Sequence, residues 1–171
     1  MKTQTRTLSI TALSVAGAVV MLYMGRLFPA MALTFAALAA LFVAATVIEG
    51  GLKYGLLCFV AASILGMLLA PGMTAILYLT FFGVYPLIKS IAERRKSQVL
   101  GWAIKLAAFF SALTCYVFIW QELFVGVIPF IDRALPIIYL AGLAVFMVYD
   151  IGLSKLIGFY LTRIYKYRNG R

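Results

Sequence analysis

The feature that most constrains this chain is a series of six long apolar stretches, separated by short breaks that contain Gly, Pro or charged residues. The stretches cover residues 8–24, 30–48, 54–70, 73–88, 99–120 and 136–161. A helix needs about 17–25 such residues to cross the hydrocarbon core of a bilayer. With 65% hydrophobic and only 12% charged residues, a water-soluble domain of 171 residues could not bury this much apolar surface. We therefore predict an all-α integral membrane protein, a single domain of six transmembrane helices.

The breaks between the stretches set the predicted helix ends. Gly25, Arg26 and Pro29 end the first span, and Pro136 is suited to the first turn of the sixth. The segment from Lys89 to Gln98 is the most polar in the chain and is predicted to lie outside the bilayer. Several spans are short, so two of the apolar segments could be re-entrant instead, but the distribution of charge favours six full crossings.

The positively charged residues predict which side of the membrane each break occupies. The formal net charge is +10, and cytoplasmic loops carry the excess of Lys and Arg. If the N-terminus is cytoplasmic, Arg26 and Arg133 are the only basic residues outside, and Lys105 and Lys155 lie within helices near the inner surface. We therefore expect both termini in the cytoplasm of a multi-pass protein of the bacterial plasma membrane, in contact with anionic lipids. The inner group would be Lys2, Arg6, Lys53, Lys89, Arg94, Arg95, Lys96, Arg163, Lys166, Arg168 and Arg171.

Several function classes lack the residues that they need. The chain contains no His, and Cys58 and Cys115 are single residues in apolar runs, so we expect no metal, no disulfide and no cofactor. It has no phosphate-binding P-loop, no zinc-protease motif and no nucleophile elbow. Because these motifs are missing, we do not expect an enzyme. We do not expect a nucleic-acid-binding protein either, because basic charge in so apolar a chain is typical of membrane-facing loops.

Two ionisable residues lie inside predicted spans. Lys105 lies six residues into the fifth span, and Asp150 lies fourteen residues after Pro136 in the sixth. At about 1.5 Å per residue both lie about 9 Å from the inner surface of a core about 30 Å thick. Because an unpaired charge is costly in lipid, we hypothesise an ion pair between Lys105 and Asp150. It would serve as a structural clamp or, alternatively, as part of a proton or ion relay. If the two residues do not pair, each simply reaches the membrane interface.

Polar and aromatic side chains also gather at the predicted outer ends of three spans. They offer aromatic walls with a few polar groups, the usual composition of a small-molecule pocket. Aromatic residues also concentrate at membrane interfaces simply as anchors, and both interpretations stay open. The candidate ligand-binding residues are Arg26, Trp120, Glu122, Asp132, Arg133 and Tyr139.

Small residues spaced four apart form two stripes that would let another helix approach closely. Ala12 and Ala16 lie on the first span, and Ala32, Ala36, Ala40 and Ala44 lie on the second. We interpret the longer stripe as packing within the bundle. The pair on the first span is equally suited to packing or to contact with another protein.

The opening segment KTQTRTLSITALSVAGAVV, from Lys2 to Val20, resembles the start of the substrate-binding S components of energy-coupling factor (ECF) transporters. The resemblance implies six helices, cytoplasmic termini and a vitamin or similar micronutrient as substrate, bound from outside. In that family an Ala-x-x-x-Ala element of the first helix, here Ala12 and Ala16, docks on a transmembrane T component that a pair of ATPases drives. The long loop between the first two helices of the family is brief here, residues 25–30.

The alternative function is a structural membrane protein of the cell envelope, similar to the rod-shape protein MreD. Such a scaffold would recruit partners through the basic inner loop from Lys89 to Lys96 and through the basic C-terminal tail. A bound small molecule would favour the transport subunit, whereas a filled bundle would favour the scaffold. An enzyme of lipid metabolism is a more distant third hypothesis.

Overall fold

The computed structural model of the chain describes residues 2–93, 98–123, 131–160 and 162, and the side chains of most of these. Within this part of the chain the protein is helical and has no strand, so the all-α prediction is confirmed there. A 3-10 turn, Pro29–Met31, precedes the second helix, and a π-helical turn, Tyr78–Phe82, follows the fourth. The helices are α1 Lys2–Leu27, α2 Ala32–Gly50, α3 Leu52–Leu69, α4 Met73–Leu77, α5 Tyr85–Glu93, α6 Gln98–Leu123 and α7 Ile131–Phe159.

The described helices supply five segments that are long and apolar enough to cross a membrane. Helix α6 adds a shorter apolar helical segment, Val99–Cys115. Many large apolar side chains on these segments are exposed, Leu13 at 75% and Leu68 at 72% among them. Such a surface is stable when lipid covers it. The five segments are Gln4–Leu27, Pro29–Gly50, Leu52–Leu69, Met73–Glu93 and Tyr139–Phe159.

Two helix ends differ from the prediction. Helix α1 continues through Gly25 to Leu27, and Gly25 is a buried point of close packing rather than a break. Helix α7 begins at Ile131, so Pro136 lies inside it instead of in its first turn. At this position a proline cannot make the backbone hydrogen bond to the carbonyl four residues earlier that another residue would make.

A single glycine joins α2 to α3. Gly51 has φ +83°, a conformation that side chains with a Cβ rarely adopt, and its N–H donates to Val47 O over 2.9 Å. The chain therefore reverses direction within one residue, and α2 and α3 pack side by side. We call the end of the bundle with this turn the inner end, the name that our prediction from the Lys and Arg distribution gives it. The opposite end is the outer end.

Helix α2 is central to the bundle, because it packs against α1, α3, α4, α5 and α7. Its alanine stripe makes this possible, since small side chains let neighbouring helices approach closely. All four of its members are buried, which confirms that the stripe packs within the bundle: Ala32, Ala36, Ala40 and Ala44.

The fourth apolar segment is a discontinuous helix. Helix α4 widens into the π-helical turn Tyr78–Phe82, the backbone turns at Gly83 and Val84, and α5 then begins at Tyr85. Gly83 N–H donates to Tyr78 O over 2.8 Å, the bond that closes the wider turn. Single π-turns of this kind are frequent at functional sites. Here the interruption turns a run of aromatic side chains toward α6 and α7.

Candidate functional site

The inner half of the bundle contains a buried cluster of charges on three helices. Lys89 of α5, Lys105 of α6 and Asp150 of α7 are only 1%, 8% and 4% exposed. Glu93, on the last turn of α5, completes the cluster with a side chain that is 51% exposed. An unpaired charge at the centre of a transmembrane helix costs about 2.5–3.5 kcal/mol on insertion scales, so these groups are stable only together. We call these four residues the charge cluster.

Asp150 is the centre of the charge cluster. Its Oδ1 accepts a hydrogen bond of 2.5 Å from the Tyr85 hydroxyl and another from the Lys89 ammonium. Its Oδ2 lies 3.4 Å from Lys105 Nζ. Lys89 also donates to Ser154 Oγ over 2.7 Å, and Ser154 in turn donates to the Asp150 carbonyl over 2.8 Å. A carboxylate with this many donors is held in one position.

Lys105 is held less tightly than Lys89. Its Nζ lies 3.3 Å from Glu93 Oε1 and 3.4 Å from Asp150 Oδ2, both longer than a typical charge-assisted bond of about 2.7–2.9 Å. The ring of Trp102, one turn earlier on α6, lies 5.4 Å from the same ammonium in a cation–π contact. Lys105 therefore lies between the sealed part of the charge cluster and the exposed carboxylate of Glu93.

The hypothesised pair is brought together in the structure, but as part of a larger set. Lys105 and Asp150 lie within ion-pair distance, while the shorter contact to Asp150 comes from Lys89. Our prediction that Lys89 belongs to the basic inner loop is wrong, because Lys89 lies on α5 and its side chain is buried between α5 and α7. The signal that could have revealed it is the four-residue spacing of Tyr85, Lys89 and Glu93, which places three polar side chains on one helical face.

A layer of aromatic rings lies directly outward of the charge cluster. Phe81, from the π-helical turn, has its ring centroid 5.1 Å from Tyr85 and 6.2 Å from Tyr149. Phe109 of α6 and Phe146 of α7 stack at 4.8 Å and contact Phe81 edge-on at 6.0 and 6.1 Å. These rings separate the charges from the outer half of the bundle and bury the apolar face of Tyr85.

Above this aromatic layer, in the outer half of the bundle, lies a partly open cavity of about 220 Å³. Its lining is apolar except for Thr80 and Tyr149, and the Thr80 hydroxyl already donates to Ile76 O over 2.8 Å. The cavity is therefore suited to an apolar or aromatic group rather than a charged one. The lining residues are Leu33, Leu77, Thr80, Phe81, Phe82, Phe109, Ala112, Leu113, Gly142, Val145, Phe146 and Tyr149.

The predicted outer site is described only in part. Arg26 is exposed at the end of α1, which packs against α2, α3 and α4. Tyr139 lies on α7, its hydroxyl 3.0 Å from Thr114 Oγ1 and its ring stacked on Phe110 at 6.2 Å. Neither residue lines the cavity. The side chains of the other four candidates, Trp120, Glu122, Asp132 and Arg133, lie outside the described residues.

The small-residue pair on α1 faces away from the bundle. Ala12 and Ala16 are exposed, whereas Thr11, Ala18 and Leu22 on the opposite face are buried. The face carrying the two alanines is therefore available to lipid or to another helix.

Chemically, the described residues offer an apolar cavity and a neutralised set of charges. They contain no group of three His, Cys, Asp or Glu side chains that could hold a metal ion. The exposed edge of the charge cluster, where Glu93 lies, is the part of the cluster that water or another molecule can reach. In comparisons with known proteins, no protein-family model, curated protein or solved structure matches the chain.

Proposed function

We propose that this chain is a membrane-embedded substrate-binding subunit of an uptake transporter, energised by separate ATPase partners. The observation that carries the proposal is the cavity in the outer half of the bundle, partly open and closed at its base by the aromatic layer. A ligand that enters from the outside would bind there without meeting the charges below. The resemblance of the first helix to S components of ECF transporters supports the same function.

The cavity also restricts the substrate that we propose. No charged side chain lines it among the described residues, so the part of the substrate that enters must be apolar or aromatic. A vitamin-like micronutrient with a ring system meets this requirement. Its polar groups would remain at the outer mouth, where Trp120, Glu122, Asp132 and Arg133 are the proposed contacts.

We further propose that Ala12 and Ala16 form the docking face for a transmembrane T component. Their exposure on α1 leaves a surface with little side-chain bulk, on which a partner helix can pack closely. This docking requires the N-terminus to be cytoplasmic, which is a separate proposal with its own test.

Cysteine labelling tests the orientation. In a variant without Cys58 and Cys115, Lys53→Cys and Arg26→Cys each place one exposed thiol, at the inner and the outer end respectively. We expect a membrane-impermeant maleimide to label Arg26→Cys in intact cells and Lys53→Cys only in inside-out vesicles, because the basic breaks lie in the cytoplasm. The opposite pattern would show that the topology is inverted.

Native mass spectrometry of the gently purified protein tests the binding function. We expect the wild-type chain to retain a stoichiometric vitamin-sized molecule, and the variant Ala112→Phe to lose it. Ala112 lines the cavity, so a benzyl group there occupies the space of the ligand. We expect a reduction in retained ligand of at least about tenfold, because one misplaced bulky group in a close-fitting cavity costs more than about 1.4 kcal/mol.

Ala107→Phe is the matched control, because Ala107 is exposed on the same helix and the same benzyl group would point away from the cavity. Equal ligand retention by the two variants would mean that the molecule binds elsewhere. A wild-type protein that carries only lipid, or that co-purifies with envelope proteins, would contradict uptake and favour the scaffold function.

A further inference from the structure

The exposed edge of the charge cluster has one oxygen between two ammonium groups. Glu93 Oε1 lies 3.3 Å from Lys89 Nζ and 3.3 Å from Lys105 Nζ. Both distances exceed those of strong charge-assisted bonds, about 2.7–2.9 Å. Since the Glu93 side chain is half exposed, its carboxylate can rotate outward without disturbing the sealed groups behind it. Glu93 is thus a loosely held anion between the ammonium groups of Lys89 and Lys105, the pair of lysines that we call the cradle.

The charges of Lys89, Lys105 and Asp150 show that the cradle requires one further negative charge. Without Glu93, the two ammonium groups of Lys89 and Lys105 face one carboxylate, that of Asp150, which leaves one uncompensated positive charge among the described residues. That charge is largely shielded from water, because both lysines are at least nine-tenths buried. A buried excess charge needs an anion of equal and opposite charge. A phosphodiester carries one negative charge and several acceptor oxygens, so it can replace the Glu93 carboxylate.

The position of the cradle suits a group at the membrane surface. Glu93 is the last residue of α5, at the inner end of the bundle. Trp102 is 43% exposed, contacts Lys105, and lies near the start of α6 at the same end. Exposed Trp residues mark the level of lipid headgroups. A phosphate at this level can therefore approach the Lys105 ammonium from the same end of the bundle.

We propose that Lys89 and Lys105 form a binding site for a phosphate oxyanion at the inner end of the bundle, which Glu93 occupies when no ligand is bound. Phosphate oxygens replace Glu93 Oε1 between the two ammonium groups while Asp150 keeps both lysines in place. The ligand is the phosphate of an inner-leaflet phospholipid or free inorganic phosphate. The proposal does not depend on the uptake function, because the aromatic layer separates this site from the cavity.

Lipid retention measures the site directly. The purified protein is mixed with micelles containing equal amounts of phosphatidylglycerol and phosphatidylcholine, and bound lipid is counted by native mass spectrometry. We expect the wild type to retain one phosphatidylglycerol in preference. We expect Glu93→Gln to increase that retention about tenfold and Lys105→Gln to decrease it about tenfold, the effect typical of one charge-assisted hydrogen bond. Opposite signs cannot arise from loss of folding, which would lower both.

Lys53→Gln is the matched control, because Lys53 is an exposed lysine at the same end of the bundle but outside the cradle. A second arm replaces lipid by inorganic phosphate, with chloride at equal ionic strength as reference, and measures the melting temperature. Stabilisation by phosphate that is larger in Glu93→Gln and absent in Lys105→Gln would identify free phosphate as the ligand. The proposal is overturned if Glu93→Gln gains nothing in either arm, or if Lys53→Gln loses as much as Lys105→Gln.

Discussion

Replacement of Asp150 by Leu should destabilise the protein by about 3–5 kcal/mol, the usual cost of leaving a buried charge without its partner. Asp150 is 4% exposed and is the group that both buried lysines contact. In its absence, Lys89 and Lys105 would repel each other and share only the half-exposed Glu93. Unfolding by sodium dodecyl sulfate in mixed micelles, followed by tryptophan fluorescence, measures the loss of free energy.

Two further variants separate this effect from a general loss of packing. Glu93→Gln leaves Asp150 in contact with both lysines and removes a half-exposed carboxylate at the edge of the same cluster, so it should cost less than Asp150→Leu. The double variant Lys89→Met with Asp150→Leu should recover most of the stability, because both members of the pair become apolar and Lys105 keeps Glu93. Equal stabilities for Asp150→Leu and Glu93→Gln would show that the charge cluster does not hold α5, α6 and α7 together.

Replacement of Gly25 by Val should destabilise the outer end of the bundle by about 1–3 kcal/mol or more, through overpacking. A Cβ at Gly25 would lie only 2.6 Å from Thr74 Oγ1 and 3.0 Å from Phe35 Cβ. Thr74 is 2% exposed and Phe35 lies on the adjacent helix α2, so neither can move aside without shifting a helix. The same detergent titration measures the effect.

Gly152→Val provides the comparison for this variant. It makes the same change within α7, where an added Cβ would meet no atom within 4 Å among the described residues, apart from its chain neighbours and the backbone of its own helix. We expect the stability of Gly152→Val to stay close to that of the wild type. If both variants lost the same amount, the cost would reflect valine in a helix rather than close packing of α1 against α2 and α4.

The residues of the charge cluster show how far sequence reasoning reaches at the site. Lys105 and Asp150 could be placed at similar depths, because helical rise converts sequence position to height. Lys89 could not be placed in this way, since it lies at the junction of an apolar run and a polar loop. Whether such a residue is buried depends on which face of α5 meets α7. The four-residue spacing of Tyr85, Lys89 and Glu93 places polar side chains on one face, but it does not show which helix that face meets.

The cavity shows a second limit of prediction from sequence. Its lining comes from α2, α4, the π-helical turn, α6 and α7, so no local pattern could reveal it. The outer residues that we chose from their aromatic and polar character, Arg26 and Tyr139, lie elsewhere on the described structure. The residues that do line it read in sequence as ordinary membrane-spanning side chains. Whether a void remains between helices depends on how they pack across one another, which composition does not specify.

The sequence by itself determined the helical class and the approximate course of the apolar segments, because in lipid every backbone polar group must be paired within a segment. It also determined the alanine stripe of α2 as a packing surface, since only small residues permit close contact. The tertiary structure alone decided that Lys89 joins Asp150, that Gly25 is a contact and not a break, and that a cavity remains above the aromatic layer. These features depend on long-range contacts between helices, in which one face of each helix is selected by packing against partners far away in sequence.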